Sequence, residues 1–135
     1  MAEPCKLHVK RFLANKEGNL HVLGNEGLPF DVRRIFWIDS ISSPWSQRGN
    51  HAHRTNHQIF VPIVPPFKIY VKGKGYEESH DFEDKDYALW VPPLNWVAIH
   101  GMRPTSVCLV LCSEEYREDS YIRDLDEFNQ LVGSV

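Results

Sequence analysis

The chain is predicted to be all-β: a small antiparallel jelly-roll barrel with a short C-terminal helix. Three observations predict it. Apolar and polar residues alternate over short runs, the period of a half-buried strand. Gly, Pro, Asn, Asp and Ser clusters divide those runs at the spacing of a sandwich or barrel. Only one stretch, close to the end, carries a helical period. At 135 residues the chain makes one domain, 1–135, with enough length to bury a real core.

The elements follow in order. Residues 6–13 alternate as a first strand, Lys16-Glu17-Gly18 turns the chain, and 19–23 returns. Residues 32–39 carry Ile35, Phe36, Trp37 and Ile38, types that favour a pleated surface, and Ser42-Ser43-Pro44 ends the run. After the segment Arg48-Gly-Asn-His-Ala-His53 comes a strand at 58–63. Pro62 within it cannot donate to a ladder, which predicts an edge or a bulge, and Pro65-Pro66 predicts a sharp corner. Residues 67–71 alternate, Gly73-Lys74-Gly75 is a hairpin turn, and 76–82 is a polar, exposed strand. Residues 87–91, 96–100 and 107–112 bring the set to about ten strands. In 123–131, Leu125, Phe128 and Leu131 fall on one helix side, and Gly133 suits a C-terminal stop. The mouth of such a barrel is the expected pocket.

Composition narrows the partners. Fifteen Lys and Arg against 18 Asp and Glu give −3, so bulk attraction to nucleic acid or an anionic membrane is not expected. An anionic ligand would need a local basic cluster. Met1-Ala2-Glu3-Pro4-Cys5 has neither the basic head nor the apolar run of a secretory signal. No apolar stretch approaches the ~20 residues of a membrane helix, and a cytoplasmic location is expected. Cys5, Cys108 and Cys112 are odd in number and fit no zinc-finger spacing. They read as free thiols, with Cys108 and Cys112 as core filler in an apolar run.

The chemistry concentrates at His51 and His53. Two residues apart on a strand, their imidazoles share a face about 7 Å apart. Histidine titrates near neutrality, so the pair can take a proton from one ligand atom and return one to another. Arg48, three residues ahead, adds a donor that grips two oxygens at once. Arg33, Arg34 and Arg54 are further candidates for phosphate contacts. On a strand Arg33 and Arg34 face opposite ways, so at most one looks inward. Trp37, Trp90 and Trp96 are core candidates or, alternatively, platforms for a nucleotide base. The His-x-His spacing also suits a metal site. No carboxylate follows His53; His57 or His100 would have to serve, and Arg54 beside the pair would repel a divalent cation. No metal and no cofactor are therefore expected. No dinucleotide or phosphate-loop motif and no nucleophile elbow is visible. The pair also permits metal-free proton transfer: a histidine base beside a carbonyl-bearing sugar could work through an enediol, given donors for the developing oxyanion, and a solvated polar pair is the alternative.

Taken together, Arg48-Gly-Asn-His-Ala-His53 with His57-Gln58, and Tyr121-Ile-Arg-Asp124 with Asp126-Glu-Phe128, resemble the sugar 3,4-ketoisomerase family that acts on dTDP-4-keto-6-deoxyglucose. Leu28-Pro-Phe-Asp-Val-Arg-Arg34, Leu89-Trp-Val-Pro-Pro93 with Trp96, and Ser113-Glu-Glu-Tyr116 extend the likeness over nearly the whole chain. The resemblance implies a cupin-type jelly roll, a homodimer that exchanges N-terminal strands, and catalysis without a metal. It implies that His51 is the base, that His53 assists proton movement, and that Arg48, with Arg34, Trp37 and Gly49, makes up the substrate-binding set. It also implies a dTDP-linked sugar nucleotide as the partner, on the way to deoxy- and amino sugars such as those of lipopolysaccharide or S-layer glycans. Four positions depart from the family pattern: Glu17 in the N-terminal turn, Trp37 where a tyrosine is common, Val97 after Trp96, and Pro65-Pro66 in place of a Ser-Gly turn. They keep two alternatives open, a non-catalytic sugar-nucleotide-binding homologue and a 3,5-epimerase-like enzyme using Tyr70 or Tyr76 as acid. A metal-dependent oxygenase on the same barrel is a further alternative.

Overall fold

Alternation sets which face each strand buries. The computed structural model describes residues 2–13, 15–43 and 45–133, so Pro44 of the expected break lies outside the described residues. The strands are β1 (Cys5–Leu13), β2 (Asn19–Leu23), β3 (Arg34–Ile38), β4 (Arg48–His53), β5 (Gln58–Val64), β6 (Phe67–Gly73), β7 (Tyr76–Phe82), β8 (Tyr87–Val91), β9 (Trp96–His100), β10 (Val107–Cys112) and β11 (Tyr121–Ile122). One helix, α1 (Leu125–Val132), follows them. The strands pair antiparallel in two sheets, β2-β1-β8-β5-β10-β3 and β11-β4-β9-β6-β7. This is the all-β jelly roll with a short C-terminal helix that the periodicity predicts.

The facing sides of the sheets hold the main core. Phe67, Ile69 and Val71 of β6 meet Phe60 of β5, Leu89 and Val91 of β8, and Cys108, Val110 and Cys112 of β10. Both buried thiols are thus packing groups, and Cys5 is exposed. The chain crosses between sheets at Pro65-Pro66, the predicted corner. Pro62 is tolerated inside the central strand β5 for two reasons. It lies beyond the last β5–β8 pair, Phe60↔Leu89, and at a register shift against β10. It therefore marks a bulge, not an edge.

The outer face of each sheet is apolar too. On the six-stranded sheet, Val9, Ile59, Val61, Ala88 and Leu111 are covered partly by Leu23, Phe30 and Val32. Nearby Ile35, Trp37 and Ile63 remain exposed. On the five-stranded sheet, α1 packs Phe128 and Val132 onto Ala52, Trp96 and Ile122. The helix starts two residues later than predicted because Asp124 caps it, its Oδ1 accepting the Asp126 and Glu127 N–H groups at 2.8 and 3.4 Å. Its buried residues are Phe128 and Val132, spaced i, i+4, whereas Leu125 and Leu131 are exposed. Gly133 closes it in the left-handed conformation, φ 67°. Among the described residues no helix is long and apolar enough to cross a membrane. β1 pairs with β8 of its own chain, from Cys5↔Trp90 to His8↔Tyr87.

Candidate active site

A cavity of about 620 Å³ opens between the two sheets, a size suited to a small ligand. Three arginines reach it: Arg34 from β3, Arg48 from β4 and Arg123 from just after β11. Their convergence supplies the local positive charge that an anionic ligand needs against the chain's overall sign.

The backbone of β4 explains how the histidine is presented. Gly49 pairs with Ala98 and His51 with Val97, so Asn50 is an extra residue in a bulge. Gly49 has φ 89° and Asn50 φ 56°, both left-handed. A Cβ on Gly49 would lie 2.9 Å from the Val97 carbonyl oxygen, so only glycine lets the strands approach this closely. Arg48, Gly49 and His51 all line the cavity as a result. Burial pushes the His51 pKa below its ordinary value, aided by Arg123 and Arg34, although the Gly49 backbone opposes this. The imidazole is therefore neutral near pH 7, the form that accepts a proton.

His53 sits differently. It is 4% exposed and does not line the cavity. Its Nδ1 lies 3.3 Å from Ser120 Oγ, and among the described residues its Nε2 has no partner. Burial, then the neighbouring His51, Arg34 and Arg123, drive its pKa down to about 3. Its ring packs edge-on against His51, centroids 5.0 Å apart.

Tyr121 completes the cluster. Its ring centroid is 4.3 Å from that of His53 and 5.0 Å from that of His51. Arg34 Nη2 donates to its hydroxyl at 3.4 Å, and the Arg123 guanidinium lies 4.2 Å over its ring. Arg123 is itself held by two 3.0 Å bonds to Glu118, which also accepts from the Tyr116 hydroxyl. Tyr121 and Arg123 carry the resemblance only as part of a motif, with no role of their own. Period two places both on one face of a strand, but a two-residue strand leaves no period to read.

The other expected residues separate cleanly. Arg34 lines the cavity beside Phe36 and Ile38, whereas Arg33 is exposed. Trp37, expected in the substrate-binding set, is 63% exposed and does not line this cavity. Period two along β3 turns it away, and Phe36 is the aromatic residue that faces inward. Arg54 pairs with Glu127 of α1 at 2.9 Å, outside the cavity. His57, weighed as a third ligand, accepts instead from Trp90 Nε1 at 3.1 Å and packs near Phe30. Tyr70 belongs to the cluster beneath α1, and Tyr76 donates to Asn95. Neither lines the cavity, so the acid proposed for an epimerase is not supplied by either. Glu17, in the turn after β1, is exposed and does not line the cavity, whereas Val97 does.

Comparison with known proteins agrees with this geometry. The family model described as "FdtA: WxcM-like, C-terminal" matches residues 3–133. A TDP-4-oxo-6-deoxy-alpha-D-glucose-3,4-oxoisomerase of Aneurinibacillus thermoaerophilus is 22% identical over 129 residues, 96% of this chain and 92% of that protein. A histidine-to-asparagine mutant of a Thermoanaerobacterium thermosaccharolyticum 3,4-ketoisomerase, solved with TDP-4-keto-6-deoxyglucose, superposes with a TM-score of 0.88 at 28% identity. That match covers 98% of this chain and 95% of the other. A 3,4-ketoisomerase from Helicobacter canadensis matches with a TM-score of 0.89 at 26% identity, over 99% of this chain and all of that one. A model match over nearly every residue, on a cavity built around the same histidine motif that carried the resemblance, means that the chain belongs to the FdtA (WxcM-like, C-terminal) family of sugar 3,4-ketoisomerase-like proteins.

Proposed function

We propose that the chain is a cofactor-independent 3,4-ketoisomerase of a dTDP-linked 4-keto-6-deoxyhexose. The observation that carries this reading is His51: a neutral imidazole presented by a bulge into a cavity with three arginines. The diphosphate fits the cations, and Arg48 and Arg34 supply the donors. His51 takes the hydrogen from C3, and the electrons flow to the C4 oxygen as an enediolate. Return of a proton to C4 and transfer of the C3 hydroxyl proton to O4 give the 3-keto sugar. His53, neutral and hydrogen-bonded to Ser120, assists by holding His51 in place. The ring centroids of His51 and Tyr121 are 5.0 Å apart, which leaves no room for a hexose between them. That contact favours chemistry along one edge of the sugar over epimerisation, which needs acid and base on opposite ring faces. We place the reaction in cytoplasmic deoxy- or amino-sugar synthesis, feeding a glycan such as lipopolysaccharide or an S-layer. We also assign a homodimer, with N-terminal strands exchanged, for which the exposed Ile35, Trp37 and Ile63 offer an apolar face.

The test is solvent-deuterium exchange. Purified protein in D2O with dTDP-4-keto-6-deoxyglucose should incorporate deuterium at C3 or C4 and yield the 3-keto sugar. His51→Asn should lower the rate by about 10²–10⁴-fold, the usual share of a positioned base. Tight binding of dTDP without exchange or turnover would mean the non-catalytic homologue instead.

A further inference from the structure

Moving a ketone from C4 to C3 transfers two protons. One is bound to carbon and passes from C3 to C4; the other belongs to a hydroxyl and passes from O3 to O4. On the ketoisomerase reading, on which this inference rests, His51 accounts for the first. The second has no assigned carrier. His53 is two residues from His51 but does not line the cavity, and Ser120 engages its Nδ1. β3 turns Phe36 inward, which has no hydroxyl. Among the described cavity-lining residues, Tyr116 and Tyr121 carry phenol groups. Tyr116 is 60% exposed and its hydroxyl is committed to Glu118. Tyr121 is half-buried and touches His51, and its oxygen accepts from Arg34 at 3.4 Å. Among the described residues nothing accepts from its O–H, so that proton is available to a ligand.

We propose that Tyr121 is the catalytic residue that carries the hydroxyl proton from one sugar oxygen to the other. As His51 removes the C3 hydrogen, the Tyr121 O–H bond breaks and its proton goes to O4, giving a neutral enediol. Arg34 holds the phenolate through a charge-assisted hydrogen bond while the proton is away. The phenolate then takes the O3 proton, the C3 carbonyl forms, and the electron pair of the enediol double bond takes the proton from His51 at C4. Both residues end in their starting forms, with no oxidant or reductant involved. Because the two rings touch, one edge of the sugar can meet both groups at once, the condition for coupled transfer.

Tyr121→Phe removes the hydroxyl and keeps the ring contacts with both histidines. Its rates of C3 deuterium exchange and of conversion are read together by NMR with dTDP-4-keto-6-deoxyglucose in D2O. Conversion should fall at least 100-fold. C3 exchange should fall less, since His51 and Arg34 remain, so the ratio of exchange to conversion should rise at least tenfold. An unchanged ratio, or conversion within about threefold of wild type, overturns the proposal and leaves the ketoisomerase reading standing. Wild-type protein that neither exchanges nor converts overturns both. If Tyr121→Phe lowers the melting temperature, 3-fluorotyrosine at position 121 keeps the hydroxyl and makes it more acidic. The pH profile of conversion should then move toward lower pH; an unmoved profile overturns the assignment.

Discussion

Strands β3 and β4 both wall the cavity, and they use their backbones in opposite ways. On β3 plain alternation turns Arg34, Phe36 and Ile38 inward and Trp37 outward. On β4 the alternation breaks. Arg48, Gly49 and His51 all reach the cavity, because Asn50 is an added residue and two successive residues adopt left-handed backbone. The regular strand delivers packing and one cation, and the irregular strand delivers the base. A non-glycine residue such as Asn50 costs of order 1 kcal/mol in that conformation. The strain persists because the antiparallel pairing to β9 on both sides of the bulge over-determines it.

Removing that irregularity should have the largest effect. Gly49→Ala puts a methyl group 2.9 Å from the Val97 carbonyl oxygen on a backbone with φ 89°. Loss of stability should be about 1–3 kcal/mol, a fall in melting temperature of several degrees. His51 should lose its aim with it, and kcat/KM should fall roughly 100-fold, the scale of an ångström-level misplacement. An alanine variant with wild-type rate and melting temperature would show that the bulge is incidental. A regular-strand control away from the cavity, such as Leu20→Val on β2, should leave both nearly unchanged.

The two histidines of β4 sharpen the contrast through pH. His51 has its pKa lowered chiefly by burial, so it remains a neutral base below its ordinary value of 6.5. The acid limb of kcat/KM should accordingly fall below pH 6.5, with a tenfold loss for each further unit. A limb at or above 6.5 would contradict the burial seen here. His53, held to about 3, contributes to stability instead. Between pH 6.5 and about 3 the unfolded chain binds a proton that the folded chain refuses, so stability falls as pH falls. The loss should be a few kcal/mol. Replacing the titrating group, as in His53→Gln, should flatten that slope in urea melts at pH 4.5 and 7.

How much of this was legible depended on length and regularity. Strands β6 to β10 could be read because each runs five to seven residues between clear turn signals. Pro62 and Pro65-Pro66 announced the bulge and the corner through the donor that proline lacks. β11 could not be read, since two residues carry no period, and with it went Tyr121 and Arg123. The helix misled by one stripe: i, i+3, i+6 drifts around the cylinder, and Phe128 and Val132 are the pair that stays on the buried side. Along β3, Phe36 and Trp37 differ by a shift of one, which turns a side chain to the opposite face.

That last shift yields the smallest predicted effect. Trp37 is 63% exposed and does not line the cavity that holds His51. Trp37→Thr keeps a residue type that favours a strand and removes the indole. If β3 is as regular as its pairing with β10 from Cys108↔Ile38 to Cys112↔Arg34 indicates, kcat/KM should stay within about twofold. The same change removes apolar area from the face assigned to the second copy, so the dimer dissociation constant, measured by sedimentation, should rise at least tenfold, since about 1.4 kcal/mol suffices. Activity must therefore be assayed at concentrations where both proteins are assembled. A tenfold loss of kcat/KM with the dimer intact would mean that the indole meets the ligand, and that β3 does not keep the plain alternation that sets it apart from β4.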